Sequence, residues 1–166
     1  MIAKLNRRLA TSLTTLGMTF TVGSALAFEH IGGYIPCMLC LWQRDPYYYA
    51  IPLGAVAMFL AYSNKLIPLQ RILLITIGIA MVIGAGLGVY HAGVEWSFWS
   101  GPAACSGTLA MTTSAGGLLD ALNTTVPPSC GAASLRVLGL SFAGWNVIAS
   151  TILAIIAFAG ARSQKA

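Results

Sequence analysis

The sequence predicts an all-α membrane protein: a four-transmembrane-helix bundle whose two outer loops carry every cysteine. Three observations predict it. Hydrophobic residues make up 57% of the 166-residue chain and charged residues only 8%, against roughly a quarter charged in ordinary soluble domains. The apolar residues fall in four blocks, at residues 9–28, 46–62, 69–90 and 140–160, each near the roughly 20 residues a bilayer crossing needs. Seven of the nine basic residues (Lys4, Arg7, Arg8, Lys65, Arg71, Arg162 and Lys165) flank those blocks on one side. Arg44 and Arg136 lie on the other, with the acids Glu29, Asp45, Glu95 and Asp120. The asymmetry follows the positive-inside rule. It places both termini in the cytoplasm and the loops 29–45 and 91–139 outside. It also accounts for the net charge of +5 with the lipid bilayer as partner and no nucleic acid. Residues 1–166 read as a single integral membrane domain without an internal repeat.

The elements follow in order. A short basic tail precedes the first span, which is rich in Thr and Ser and ends Ala25-Leu26-Ala27. That ending imitates a signal-peptide cleavage site, but the apolar stretch is long for a signal core and favours an uncleaved helix. Residues 29–45 form the first outer loop, softened by Gly32-Gly33 and pinned by Pro36. Pro46 disfavours the α region for Asp45, so the second helix is expected to start or kink there, with Asp45 as its N-cap. Tyr47, Tyr48 and Tyr49 suit an interfacial aromatic belt. Residues 63–68 are a tight inner turn. The third span carries Ala80, Gly84 and Gly88 at spacings of four, a small-residue face for close helix packing. It ends at Tyr90-His91, where His91 reads as a headgroup-level anchor. The long outer loop opens with the aromatic run Glu95–Trp99 and is broken by Gly101-Pro102, Gly116-Gly117 and Pro127-Pro128. The last span has Trp145 and Asn146 near its outer end.

The chemistry lies in the thiols. Cys37 and Cys40 form a Cys-x-x-Cys pair, and Arg44 follows Cys40 by four residues. A thiolate is the attacking species in disulfide exchange, so an active cysteine needs access and a lowered pKa. Arg44 offers a permanent cation, on the face of Cys40 if residues 40–44 are helical. Burial near lipid opposes it by raising a thiol's pKa. A purely structural Cys37–Cys40 disulfide would close so small a loop that it removes little unfolded-state entropy. On spacing alone Cys105 and Cys130 read as a structural disulfide. Zinc bound by all four thiols is the other reading, although a second close pair is lacking; no metal is expected. Arg44 on position alone could equally be a snorkelling interfacial residue.

With topology and thiols placed, the sequence resembles the DsbB family of bacterial disulfide-bond formation proteins. The resemblance covers nearly the whole chain. It rests on Pro36-Cys37-Met38-Leu39-Cys40 followed by Gln43-Arg44, on Tyr90-His91 leading to Gly93-Val94-Glu95, on Cys105, on Pro128-Ser129-Cys130, and on a final span opening near Leu138-Gly139-Leu140-Ser141. The resemblance implies a bundle in the bacterial inner membrane with ubiquinone or menaquinone near its outer surface. It implies that Cys105 captures a reduced DsbA-like periplasmic thioredoxin-fold partner and that Cys130 links transiently to Cys37. It further implies that Cys40 is the thiolate facing the quinone, that Arg44 supports quinone binding and that His91 lies near that region. Asp45, beside Arg44, is expected to offset part of its charge. Two other readings stand beside this one: a relay running in reverse to export reductant, and a non-catalytic scaffold with two structural disulfides. A channel or transporter fits less well, because the middles of the spans hold no ionisable residue.

Overall fold

In the computed structural model, the described residues are 6–102, 105 and 129–163. Asp120, Gly116-Gly117, Pro127-Pro128, Lys4 and Lys165 lie outside them. Four helices occur among the described residues: α1 (Arg7–His30), α2 (Met38–Tyr62), α3 (Ile67–Glu95) and α4 (Phe142–Arg162). They pack in a ring in chain order, α1 on α2, α2 on α3, α3 on α4 and α4 back on α1. Three of them, α1, α3 and α4, are long and apolar enough to cross a membrane. α2 is as long, 25 residues or about 37 Å at the helical rise, but its first third carries Gln43, Arg44 and Asp45.

The threonine-rich α1 suits apolar surroundings because most of its hydroxyls turn back on the helix, Thr15 Oγ1 being the one buried without a partner among the described residues. Thr14 Oγ1 donates to the Ala10 carbonyl at 2.8 Å and Thr21 Oγ1 to the Gly17 carbonyl at 2.8 Å, leaving no free donor facing the bundle at those positions. Asn6 caps its first turn by accepting from the Arg8 amide. Arg7 is buried and donates to the carbonyl of Ser163, which ties the start of α1 to the end of α4.

α2 corrects the expectation at Pro46. The helix begins at Met38, with Cys37 at the capping position, and runs through both Pro46 and Pro52. Asp45 is therefore inside the helix and caps nothing. The turn that starts the helix precedes Pro46, and neighbouring helices brace a proline at depth better than water does. The tyrosine run also divides: Tyr48 and Tyr49 are exposed, whereas Tyr47 is 1% exposed and belongs to the core.

The turn between α2 and α3 has Asn64 and Leu66 in left-handed conformations, held by Gln70 Nε2, which donates to the carbonyls of Leu60 and Lys65. α3 packs on α4 along the small-residue face. A Cβ on Gly88 would sit 2.7 Å from Val147 Cγ2 and 3.2 Å from the Ala143 carbonyl oxygen, and one on Gly84 3.3 Å from Ser150 Oγ. α3 also runs past His91 to Glu95, so His91 lies inside the helix. A small hairpin precedes α4. β1 (Arg136–Val137) pairs antiparallel with β2 (Leu140–Ser141) around Leu138 and Gly139, both at positive φ as such two-residue turns require.

The bundle core is built from Met18, Tyr47, Leu74, Ile77, Met81 and Leu153, with small residues filling between. Large apolar side chains also point outward in mid-helix, among them Phe20 at 77% exposure and Phe59 at 70%. In water such a surface would drive association; a bilayer covers it without cost.

Candidate functional site

The helical start of α2 sets the thiol geometry. Cys37 lies just before the first turn, with extended backbone, and Cys40 lies one turn in. Their sulfurs are 3.2 Å apart, both thiols free. Because residues 38–62 are helical, Cys40 and Arg44 share a face at i, i+4. Cys105 and Cys130 form a disulfide with a Cα separation of 5.2 Å, and the Cys130 amide donates to the Cys105 carbonyl. The two pairs meet. Cys37, Leu39, Val94, Cys105 and Cys130 make one buried cluster, with Cys40 and Tyr90 packed against it. With two of the four thiols bonded to each other, a four-thiolate zinc site cannot form in this state.

His91 completes this cluster from α3. It is 3% exposed, not a headgroup anchor, and its Nε2 is 3.6 Å from Cys37 Sγ. Glu95, one turn on, lies 3.8 Å from the same nitrogen. The donor atoms of Cys37, Cys40 and His91 lie within 4.8 Å of one another, a closeness their hydrogen bonds explain. A hydrogen bond from Cys40, then one from His91, outweigh burial and hold the Cys37 thiol down at about 4. The protein's own groups thus favour the thiolate on Cys37, whereas the family resemblance directs attention to Cys40.

Two residues that sequence reasoning passed over stand behind His91. Gln43 Nε2 is 2.6 Å from His91 Nδ1 and also donates to the Leu39 carbonyl at 3.2 Å. Asn146 Nδ2 donates to Gln43 Oε1 at 2.9 Å and to the Gly84 carbonyl at 3.1 Å. Tyr47 in turn donates to Asn146 Oδ1 at 2.8 Å. A signal for Asn146 existed: a lone amide in the first turns of an apolar helix must find a partner.

Arg44 is mostly buried and ion-paired with Glu29 at the end of α1, a residue to which the sequence reading assigned no chemistry. Glu29, reached across the bundle, is the carboxylate that offsets Arg44. Both stand in the wall of a cavity of about 360 Å³ between α1, α2 and α4. Its lining is largely apolar and aromatic, with Phe20, Phe28, Tyr34, Phe142 and Trp145, and Cys40 reaches the same wall.

A partly buried dithiol packed against a disulfide, at one end of an apolar helical bundle, suits a protein that exchanges disulfides. The model of "Disulfide bond formation protein DsbB" matches residues 7–160. The chain belongs to the DsbB family. Among curated proteins it is similar to Disulfide bond formation protein B of Saccharophagus degradans, 29% identical over 142 residues, covering 84% of each chain. It is also similar to an uncharacterized protein of Rickettsia prowazekii, 26% identical over 136 residues, 81% of this chain and 76% of that one. No solved structure matches it. DsbB membership carries a disulfide-bond-forming oxidoreductase role in a membrane setting.

Proposed function

We propose that this DsbB-family protein reoxidises a DsbA-like periplasmic thioredoxin-fold protein and passes the electrons through Cys105–Cys130 and Cys37–Cys40 to ubiquinone or menaquinone. The observation that carries this reading is the buried cluster in which a disulfide and a dithiol meet, its inner thiol in the wall of an apolar cavity. The setting is the bacterial inner membrane, with α2 as a fourth crossing, both termini cytoplasmic and both cysteine loops periplasmic.

A thiolate of the reduced partner attacks Cys105, breaking its bond to Cys130 and forming a mixed disulfide. The partner's second thiol displaces Cys105, so the partner leaves oxidised with Cys105 and Cys130 both reduced. Cys130 then attacks Cys37 of an oxidised Cys37–Cys40 pair, and Cys105 resolves that bond. The outer disulfide is restored and Cys37–Cys40 is left as the dithiol. The pairing in the structure, Cys105 bonded to Cys130 with Cys37 and Cys40 free, is the pairing this product would have.

The cavity residues fit a quinone. Its volume is within the ordinary range for small-ligand sites, its aromatic and aliphatic walls suit a ring with an isoprenoid tail, and Arg44 can face an oxygen that gains negative charge. The quinone, when bound, supplies the acceptor for two electrons and two protons. For their part, Cys40 and Arg44 meet it at the wall, Glu29 holds the guanidinium in place, and the apolar lining excludes water.

The test is turnover of quinone absorbance by purified protein with reduced partner. Cys40→Ser abolishes quinone reduction, and Cys105→Ser abolishes capture of the partner. Inert thiols with no turnover would support a scaffold, and net reduction of the partner a reductant-exporting relay.

A further inference from the structure

Buried amides usually leave the direction of their hydrogen bonds ambiguous, because oxygen and nitrogen look alike. Here two backbone carbonyls remove the ambiguity. The Gly84 carbonyl can only accept, so the atom of Asn146 that faces it at 3.1 Å is the NH₂. The Leu39 carbonyl likewise can only accept, so Gln43 turns its own NH₂ toward it at 3.2 Å. The two assignments agree with each other. Asn146 spends its second hydrogen on Gln43 Oε1 at 2.9 Å. Gln43 then has one hydrogen left, aimed at His91 Nδ1 at 2.6 Å. At the far end the Tyr47 hydroxyl donates to Asn146 Oδ1. Both amide NH₂ groups are therefore fully used, and reversing either would set a donor against a donor or a carbonyl against an oxygen.

We propose that Gln43 and Asn146 are positioning residues that fix His91 in the neutral tautomer whose Nε2–H faces the Cys37 sulfur. Nδ1 must accept from Gln43, so the ring proton is on Nε2, 3.6 Å from Cys37 Sγ. Cys37 thereby accepts from His91, which favours its thiolate; once Cys37 has given up its proton, only Cys40 can donate across the 3.2 Å between the two sulfurs. A chain of hydrogen bonds from α4 through α2 to α3 thus decides which of the two cysteines carries the negative charge. The inference rests on the thiol-relay reading only for the use made of that thiolate. Among the described residues, the titratable or charged groups around it are Cys40 and, beyond it, Arg44 on α2, and His91 and Glu95 on α3; the Cys105–Cys130 disulfide packed against it does not titrate.

The test is the nitrogen spectrum of the full chain in detergent micelles, labelled with ¹⁵N-histidine, with neither partner nor quinone present. The chain has two histidines, and His30→Gln assigns the signals. The expected result is a pyrrole-like Nε2 and a pyridine-like Nδ1 on His91. Gln43→Glu, nearly the same shape but an acceptor, moves a proton onto Nδ1. Asn146→Leu frees the Gln43 amide to turn and mixes the tautomers. Glu95→Gln leaves the tautomer unchanged. Gln43→Leu raises the midpoint of Cys37 alkylation by about one pH unit, tenfold in thiolate population. A proton on Nδ1 in the wild type overturns the proposal. So does a His91 signal indifferent to Gln43→Glu, or one that answers to Glu95→Gln instead. Should Gln43→Leu fail to fold, the wild-type and Gln43→Glu spectra decide by themselves. Absent quinone turnover with the expected tautomer would refute the relay reading alone.

Discussion

Arg44 of α2 is ion-paired with Glu29 of α1, and the pair stands in the wall of the cavity that Cys40 also reaches. The two helices thus hold the one guanidinium of the site in a fixed place. Arg44→Met is expected to lower quinone-reductase kcat/KM by about 10²-fold, the usual loss for one preorganised charge-stabilising donor. Glu29→Gln should cost about tenfold, by loosening Arg44. Because Glu29 acts through Arg44, the double variant should be no worse than Arg44→Met. Multiplying losses in steady-state kinetics would show that Glu29 has a separate role.

The Cys37 thiol, held at about 4, predicts a reactivity profile. Alkylation of the reduced protein should be constant above about pH 5 and fall as pH drops through 4. Only one equivalent should react quickly, since the pair shares the remaining proton. A depressed folded pKa gives stability that is complete above the unfolded value and lost as pH falls toward the folded one. For Cys37 alone, the reduced form therefore gains stability from pH 4 up to pH 9 relative to Cys37→Ser. Mass spectrometry of iodoacetamide-quenched samples tests the first part, and denaturation at several pH values the second.

The glycines of α3 separate packing from composition. Gly88→Ala places a Cβ 2.7 Å from Val147 and 3.2 Å from a backbone oxygen of α4, so the helices must part, at about 1–3 kcal/mol. Gly86→Ala meets nothing within 4 Å and should be neutral or stabilising by up to about 1 kcal/mol. Thermal unfolding in detergent should rank the two in that order; equal midpoints would refute the close α3–α4 approach.

Much of this architecture was legible because bilayers impose strong patterns. Apolar blocks located four helices to within a few residues at most ends, and Gly84 and Gly88 marked the α3–α4 contact. The start of α2 was misread, because a local rule about Asp45 and Pro46 competes with a helix already nucleated at Met38. The thiols and Arg44 were visible as a motif. The roles of Gln43, Asn146 and Glu29 and the buried state of Tyr47 were not, since each is set by a partner 15 to 103 residues away. Periodicity reports which face is apolar; it does not report which polar groups meet across the bundle.

Trp99 folds back against the end of α3. Its ring stacks on Tyr90 at 6.0 Å and 5°, its Nε1 donates to the Tyr90 carbonyl at 2.8 Å, and it covers Gly93 so closely that a Cβ there would enter the ring. The chain leaving α3 is thereby folded back toward Val94, where a Cβ on Gly101 would meet Val94 Cγ1 at 3.1 Å and Cys105 Cβ at 3.5 Å. The indole is therefore expected to help set how the Cys105–Cys130 disulfide rests against Cys37, with which it shares a buried cluster. Gly93→Ala must expel the indole, and displacement of reacting groups by about 1 Å can cost up to about 10²-fold in rate. The measurement uses the Cys40→Ser, Cys105→Ser background, in which Cys37 and Cys130 are left to bond with each other under mild oxidant. Gly93→Ala should slow that cross-link at least about tenfold, whereas Gly86→Ala should leave it unchanged. A cross-link as fast in Gly93→Ala as in the parent would mean that the two loops find each other without Trp99.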